Sequence, residues 1–321
     1  MSILIHKSGI LSTIQDLGRN GFRRYGINPN GTMDKAAARL INILLGNDEN
    51  AAVLEMHFPA PVLEFEEPAI FALGGADFGA KLDDKLIENW RPVLTEKNQT
   101  LRFTKKTFGN RIYLSISGGF QIEKWLASAS TNLMAKIGGF EGRELIKGDK
   151  LFYKPKTANE KRKADFKITG SVIPHYSRLP TARVVAGAEF NKLTAIGERN
   201  FLKQDFAISR NSNRMGFRLN GEPLYLQAKI EMVSSAVAFG TIQLLPDGQM
   251  IILMADHQTS GGYPRIAHVV SVDLPILAQL GANDKVNFEL ISIEEAENLT
   301  LKFEKDLSWL KAGIRLGKLW E

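Results

Sequence analysis

The sequence TIQLLPDGQMIILMAD at residues 241–256 decides the fold class. Two apolar arms, residues 241–245 and 250–255, flank Pro246-Asp247-Gly248, in which proline fixes one backbone dihedral and glycine accepts positive φ. The spacing predicts a tight hairpin between two paired strands. Similar short apolar runs, interrupted by Gly, Pro, Asn or Asp, recur at residues 61–75, 110–120, 182–190 and 285–293. This pattern is typical of barrels and sandwiches, so we predict a mainly β chain.

Three segments carry a helical period instead. Residues 34–45 repeat apolar side chains at intervals of three and four, between Asp34, a carboxylate suited to the positive end of a helix dipole, and the terminating pair Gly46-Asn47. A second helix is predicted at residues 274–280 with Asp273 as its cap. A third follows Ser292, whose spacing to Glu295 fits a capping box.

Length and charge bound the domain organisation. At 321 residues with 44% hydrophobic content, the chain is long enough for two domains or for one large domain. The net charge is +6, and residues 154–167 contribute +4 of it, from six Lys or Arg against Glu160 and Asp165. A short basic run between two patterned regions is more typical of a solvated linker than of a nucleic-acid surface, so no nucleic-acid partner is expected. We predict an N-terminal domain at residues 1–160, a C-terminal domain at residues 180–321 and a linker at about 154–180.

Several classes of function are disfavoured by what the sequence lacks. With no cysteine, the chain has no disulfide or thiolate chemistry, and a cytoplasmic location is expected. No run of about 18 apolar residues predicts a membrane span, and the N-terminus lacks a cleavable signal pattern. No phosphate loop, dinucleotide fingerprint, zinc helix or nucleophile elbow occurs. The five isolated histidines lack metal-ligand spacing, so no metal is expected.

One dense polar cluster lies near the N-terminus, QDLGRNGFRRYGINPNGTMD at residues 15–34. Asp16, Arg19 and Asp34 are separated by glycines that let the backbone come close to a ligand, so all three are candidate site residues. The alternative is a surface loop in which Asp34 only begins a helix. The sequence alone leaves both interpretations open.

An arginine-rich segment, SRNSNRMGFRLNG at residues 209–221, carries a more specific signal. It places Arg210, Arg214 and Arg218 at intervals of four. Arg214 is a candidate anion clamp, because a guanidinium binds a carboxylate or phosphate with two parallel hydrogen bonds. A structural salt bridge is the competing explanation.

A second C-terminal segment, ADHQTSGGYP at residues 255–264, directly follows an apolar strand. A plain turn would need its glycines but not the polar residues before them, so a ligand site is predicted here. Asp256 is the candidate acid or base of that site. The candidate substrate-binding and oxyanion-binding groups are His257, Gln258, Thr259, Gly261, Gly262 and Tyr263.

Taken in order, these clusters resemble one family. The strings QDLGRNGFRRYG with GTMD, LGGADF, ASASTNLMAKIGGFEGRELIKGD, NRMGFRL, FGTIQLLPDGQ, ADHQTSGGYP and VDLPILAQL together look like the biotin-dependent carboxyltransferase subunit 2 family, also called allophanate hydrolase subunit 2. The resemblance covers essentially the whole chain and implies two cyclophilin-like β-barrel domains with a few short helices. His257 and Ala129 are departures, since relatives usually carry arginine at both positions. These replacements leave the substrate open.

The resemblance also implies a function. It indicates one component of an ATP-dependent 5-oxoprolinase, which hydrolyses 5-oxoproline to L-glutamate together with A and B subunits. Asp16, Asp34 and Asp256 would then be acid, base or orienting groups, and Arg19 and Arg214 would bind substrate. ATP would be used by the complex, with any direct nucleotide contact atypical or shared with a partner chain.

Two alternatives stay open at this point. The first is carboxyl transfer from carboxybiotin to a urea-like amide, as in the urea carboxylase and allophanate hydrolase systems to which the family is related. The second is a non-catalytic regulatory protein that binds a KipI-type partner. Arginines and tyrosines such as Arg214 and Tyr263 are typical of protein interfaces as well as of active sites.

Overall fold

The computed structural model describes residues 1–154, 167, 168, 170 and 172–317. The chain forms two compact units: Met1–Arg19, Asp34–Ile173 and Glu304–Glu321 make up the first, and Asn20–Met33 and Pro174–Phe303 make up the second. The predicted domains, residues 1–160 and 180–321, stay a prediction. In these units, Asn20–Met33 groups with the C-terminal segment and Glu304–Glu321 groups with the N-terminal segments. Of the predicted linker at 154–180, residues 155–166, 169 and 171 lie outside the described residues.

The first unit is built on two sheets within the described residues. Its strands are β1 (Ser2–Lys7), β2 (Ser12–Gln15), β3 (Val53–Met56), β4 (Val62–Phe65), β5 (Ala69–Asp77), β6 (Ala80–Leu82), β7 (Lys85–Leu86), β8 (Pro92–Thr95), β9 (Thr100–Phe103), β10 (Phe108–Ile116) and β11 (Lys150–Phe152). One sheet has the order β11-β1-β4-β9-β6-β7, and the other has the order β2-β3-β10-β5-β8. Apolar side chains from both sheets, such as Phe65 and Phe71, share one buried core.

The first predicted helix is confirmed as α1 (Lys35–Leu45). The Asp34 carboxylate accepts a hydrogen bond from the backbone N–H of Ala37. Asp34 is therefore the N-cap, and it provides an acceptor for an N–H group that has none within the first turn of the helix. Gly46 ends the helix in the left-handed conformation expected of a C-cap. The apolar period buries nine residues of the helix, among them Leu40 and Leu44, which fixes α1 against β5 and β10.

A closed barrel forms the second unit. Its strands are β12 (Thr181–Ala186), β13 (Phe206–Ile208), β14 (Gly216–Asn220), β16 (Thr241–Leu244), β17 (Met250–Leu253), β19 (Arg265–Val269) and β20 (Lys285–Leu290), with a separate pair β15 (Ser235–Ala236) and β18 (Ser260–Gly261). The barrel order is β12-β19-β16-β17-β14-β13-β20, and a parallel ladder between β12 and β20 closes it. The predicted hairpin is confirmed as β16 and β17, with Gly248 at φ +80° in the turn. The mainly β fold class is therefore confirmed.

Along three neighbouring barrel strands, alternate side chains point towards the barrel core. Side chains that point into the barrel core include Phe217 and Leu219 of β14, Ile242 of β16 and Ile252 of β17. Because side chains alternate along a strand, the residues between them belong to the opposite face of the sheet. That face carries a cleft.

Three further helices complete the described residues: α2 (Ala195–Lys203), α3 (Leu274–Ala278) and α4 (Ile293–Gly317). Ser292 accepts a hydrogen bond from the N–H of Glu295, as the predicted capping box requires, and α3 begins where predicted. Asp273 does not cap α3 through its side chain, however, because Arg183 binds that carboxylate. Helix α2, capped by Thr194, was not predicted, since its short apolar period is weak. In the part of the chain that the structure describes, no helix combines the length and apolarity needed to cross a membrane.

Candidate functional site

A cleft of about 520 Å³ lies on the face of β14, β16 and β17 that is opposite the barrel core. Its volume falls within the range of small-molecule sites. The polar and charged residues that line it are Asn211, Asn213, Arg218, Gln243, Asp247, Gln258 and Tyr263. Two of the predicted binding residues, Gln258 and Tyr263, are therefore brought to one cleft together with Asn213 and Met215 of the arginine-rich segment.

The floor of the cleft is a row of residues in register across three strands. Arg218 of β14 pairs with Ile251 of β17, and Ile251 pairs with Gln243 of β16. Arg218 is exposed, whereas Gln243 is 1% exposed. An exposed cation and a buried carboxamide thus flank one apolar side chain.

The Gln243 side chain contacts the segment that follows β17. Its Nε2 donates to the carbonyl oxygen of Tyr263 at 3.4 Å, while its buried Oε1 has no hydrogen-bond partner within the described residues. A Cβ on Gly261 would lie 2.6 Å from Gln243 Nε2, so a larger residue there would require the Gln243 carboxamide to move. Gly261 itself lies in the β15–β18 ladder opposite Ser235.

Arg214 and Asp256 form a buried ion pair rather than two separate reactive groups. Arg214 Nε donates to Asp256 Oδ2 at 2.8 Å, and Nη2 donates to Oδ1 at 3.1 Å. Their side chains are only 8% and 11% exposed. This geometry is the structural salt bridge that was the alternative to an anion clamp. It connects the segment at residues 209–221 with the segment at residues 255–264.

The glycine-rich N-terminal loop meets this ion pair through residues 28–31. Asn30 Nδ2 donates to Asp256 Oδ1 at 2.7 Å, and Asn28 Nδ2 donates to the Asp256 carbonyl oxygen at 3.1 Å. Arg214 Nη2 donates to the carbonyl oxygen of Gly31 at 2.6 Å. All of these residues belong to the second unit, so the loop and both C-terminal segments are joined around one largely buried carboxylate.

Of the predicted binding residues at 257–263, His257, Thr259, Gly261 and Gly262 lie outside the lining of this cleft. His257 is 1% exposed, and its Nδ1 lies 2.5 Å from the carbonyl oxygen of Gln258. Thr259 accepts a backbone hydrogen bond from Val237 at 3.3 Å. Gly262 lines a neighbouring cleft of about 480 Å³, which shares Tyr263 with the first one.

Asp16 and Arg19 belong to the first unit. The Asp16 carboxylate accepts hydrogen bonds from the N–H of Gly18 at 2.8 Å, from Ser128 and Ser130 hydroxyls at 2.7 and 2.6 Å, and from the N–H of Ala129 at 2.6 Å. Four donors around one buried carboxylate fix the loop at residues 128–130. Ala129 is 2% exposed and belongs to the apolar core.

Arg19 and Asp34 also make structural contacts. Arg19 Nη2 donates to the carbonyl oxygen of Ser130, and its guanidinium lies 4.9 Å from the centre of the Trp125 ring. Asp34 caps α1, and its N–H donates to the Tyr113 hydroxyl at 2.9 Å. Burial, together with the carboxylates of Glu55 and Asp34, raises the pKa of Tyr113 well above its ordinary value.

Lys35 follows the capping aspartate in the first turn of α1. Burial lowers the pKa of this lysine, and the Asp16 carboxylate opposes that shift. Among the residues that the structure describes, no group of three or more His, Asp or Glu side chains is arranged to hold a metal ion.

Sequence reasoning missed Arg218 and Gln243 as cleft residues. Arg218 was recognised only as a member of a four-residue spacing, which is a helical period, whereas a strand places residues two apart on one face. Gln243 could have been identified from the sequence, since it is a polar residue inside the apolar strand TIQLL. A polar side chain at that position of a barrel strand must face either a partner or a ligand.

The chain belongs to a family of carboxyltransferase domains. The sequence model of that family, described as carboxyltransferase domain, subdomain A and B, matches residues 25–290. The C subunit of 5-oxoprolinase from Haemophilus influenzae is 39% identical over 91% of this chain and 92% of its own length. The C subunit of 5-oxoprolinase from Escherichia coli is 36% identical over the same shares of the two chains.

A solved structure shares the fold. The urea amidolyase of K. lactis matches 96% of this chain with a TM-score of 0.89 and 26% identity. The match covers 20% of the urea amidolyase, so the chain spans about a fifth of that larger protein.

Proposed function

We propose that the chain is the C subunit of a 5-oxoprolinase, which hydrolyses 5-oxoproline to L-glutamate together with A and B subunits and consumes ATP. The observation that carries this proposal is the 36–39% identity to two proteins named as C subunits of 5-oxoprolinase, over nine-tenths of both chains. Identity spread over the full length favours the same assembly and the same substrate.

The cleft of the second unit supports a role in substrate binding. A five-membered lactam is a poor electrophile, because its nitrogen donates electron density to the carbonyl carbon. Activation of the carbonyl oxygen by ATP before water attacks is a reasonable use of the nucleotide, and the developing charge needs fixed donors. Gln258 and Tyr263 line the cleft and can contact such a substrate. We assign nucleotide binding to the assembled complex rather than to this chain alone.

The predicted carboxylates take supporting roles in this proposal. Asp256 is bound by Arg214 and Asn30, Asp16 by four donors, and Asp34 by the start of α1. A carboxylate with its oxygens already engaged is a poor general base, because accepting a proton would break those hydrogen bonds. These residues therefore hold the walls and loops that shape the two units.

The test is ATP-dependent release of glutamate from 5-oxoproline by a reconstituted set of A, B and C subunits. We expect turnover with all three chains and its loss when this chain is omitted. Turnover that is unchanged without this chain would refute the proposal. Copurification with a partner protein and no turnover on the lactam would instead favour the partner-binding alternative.

Carboxyl transfer is the second candidate, favoured by the fold shared with urea amidolyase. The Saccharomyces cerevisiae urea amidolyase is 30% identical to this chain, but the match covers only 17% of that protein. Biotin-dependent carboxylation of urea, assayed with a separate biotin carboxylase and a biotin carrier, distinguishes the two activities. Carboxylation of urea without lactam hydrolysis would replace our main proposal.

A further inference from the structure

We propose that Arg218 and Gln243 determine substrate specificity in the cleft: Arg218 binds the carboxylate of 5-oxoproline, and the Gln243 carboxamide oxygen accepts its lactam N–H. This inference rests on the proposed function and adds to it the residues that recognise the substrate.

The strand register places these two groups at opposite ends of one row. Arg218 is paired with Ile251, and Ile251 with Gln243. Neighbouring strands are about 4.8 Å apart, so the Cα atoms of Arg218 and Gln243 are separated by about 10 Å. The Ile251 side chain lies between them and offers an apolar surface to the two ring methylenes of the lactam. In 5-oxoproline the N–H neighbours the carbon that bears the carboxylate, so a ring lying over Ile251 can turn its carboxylate towards Arg218 and its N–H towards Gln243.

Arg218 is the positively charged residue of the cleft lining. It is exposed, and within the described residues its guanidinium forms no ion pair, whereas the Arg214 guanidinium is bound to Asp256. The other charged residue of the lining is Asp247, whose Oδ1 accepts the N–H of Gln249 in the hairpin turn. An arginine with both outer nitrogens available is suited to a carboxylate, which it binds with two parallel hydrogen bonds.

Gln243 supplies the acceptor. A buried oxygen without a donor is unfavourable, and native proteins rarely retain one without a reason. The terminal torsion of glutamine is soft, so the carboxamide can rotate to turn Oε1 towards a ligand in the cleft. A lactam N–H there would provide the missing donor, while a substrate with no N–H would leave the oxygen unsatisfied.

The experiment uses the reconstituted three-chain enzyme and compares Arg218→Gln with the matched control Arg210→Gln, because Arg210 is exposed and outside the cleft lining. We expect Arg218→Gln to raise KM for 5-oxoproline by roughly tenfold to a hundredfold, since a lost charged hydrogen bond has that effect, with kcat nearly unchanged. Arg218→Lys should recover only part of the loss. A KM for Arg218→Gln within about twofold of wild type, equal to that of the Arg210 control, would overturn the role of Arg218.

Gln243→Met tests the acceptor while preserving shape. The variant removes a buried oxygen that lacks a partner, and the one hydrogen bond it loses, from Nε2 to the Tyr263 carbonyl oxygen, is long at 3.4 Å. We therefore expect the urea midpoint of unfolding to be retained or raised, and KM to rise about tenfold. A structural role would instead lower the midpoint and leave KM unchanged. If glutamate release does not depend on this chain at all, the proposed function fails; if it does depend on the chain but both variants have wild-type KM, only the present inference fails.

Discussion

Arg214 and Asp256 are joined by two side-chain hydrogen bonds of 2.8 and 3.1 Å, and the backbone N–H of Asp256 also donates to the Arg214 carbonyl oxygen at 2.8 Å. The residues that flank Arg214, Asn213 and Met215, line the cleft. The ion pair therefore fixes the segment that forms one wall of the cleft. We expect the ion pair to contribute to function by holding that wall in place.

Asp256→Asn should destabilise the chain. The variant leaves the Arg214 cation buried without its counter-charge, and removal of one partner from such a pair typically costs about 3 kcal/mol of the free energy of unfolding. Urea denaturation measures the loss. Glu222→Gln, which changes an exposed carboxylate, is the control and should leave the free energy within about 0.5 kcal/mol of wild type.

The double variant Arg214→Met with Asp256→Leu sharpens this prediction. It removes both charges, so its loss of stability should be smaller than that of Asp256→Asn alone. If Asp256→Asn keeps wild-type stability and loses only turnover, then Asp256 takes part in the chemistry and its assignment as a wall residue is wrong.

Asp16→Asn should also be destabilising, for a different reason. Both oxygens of the carboxylate accept hydrogen bonds, and an amide would present N–H₂ to one of the present donors. We expect a loss of about 3 kcal/mol, as for other buried networks that are broken. Thermal unfolding followed by circular dichroism measures it, with the exposed Asp84→Asn as control. Equal midpoints for the two variants would contradict the structural role.

Elements of the fold with local signals could be predicted from the sequence. The Pro246-Asp247-Gly248 turn, the α1 cap at Asp34 and the capping box at Ser292 each depend on residues a few positions apart. The assignment of residues 20–33 to the second unit depends instead on contacts such as that between Arg214 and Gly31, 183 positions apart. No local pattern encodes such a pairing.

The candidate site was predicted in outline and not in detail. The segments at residues 209–221 and 255–264 do line one cleft through Asn213, Gln258 and Tyr263. Which side chains face the cleft depends on strand register and on whether a charge is already paired. Arg214 looked more specific than Arg218 in sequence, but the buried carboxylate of Asp256 engages it. Ion-pair partners of this kind become visible only with the fold.

Asp34→Ala should remove the N-cap of α1 and lower the free energy of unfolding by about 1 kcal/mol. Asp34→Ser keeps an oxygen that can accept from the Ala37 N–H, so it should recover most of that loss. Urea denaturation of the two variants measures the difference. A serine variant that has wild-type stability but has lost glutamate release in the reconstituted enzyme would show that Asp34 does more than begin the helix.

His268 should make the stability of the chain depend on pH. Burial lowers the pKa of His268 below its ordinary value of 6.5, the Arg265 guanidinium lowers it further, and the Glu189 carboxylate opposes both. Its Nδ1 lies 3.1 Å from the Thr241 hydroxyl. The folded chain therefore binds the proton less tightly than the unfolded chain does. The stability contributed by the neutral imidazole is present above pH 6.5 and is lost as the pH falls below it.

The measurement is the urea midpoint of wild type and His268→Gln at about pH 5 and about pH 7.5. We expect the wild-type midpoint to fall more on acidification than that of His268→Gln, because the amide has no proton to bind. His175→Gln, at an exposed histidine, serves as the control and should retain the wild-type pH dependence. If His268→Gln loses stability on acidification as steeply as wild type does, protonation of other groups dominates, and the burial of His268 between Thr241 and Arg265 does not control this part of the pH profile.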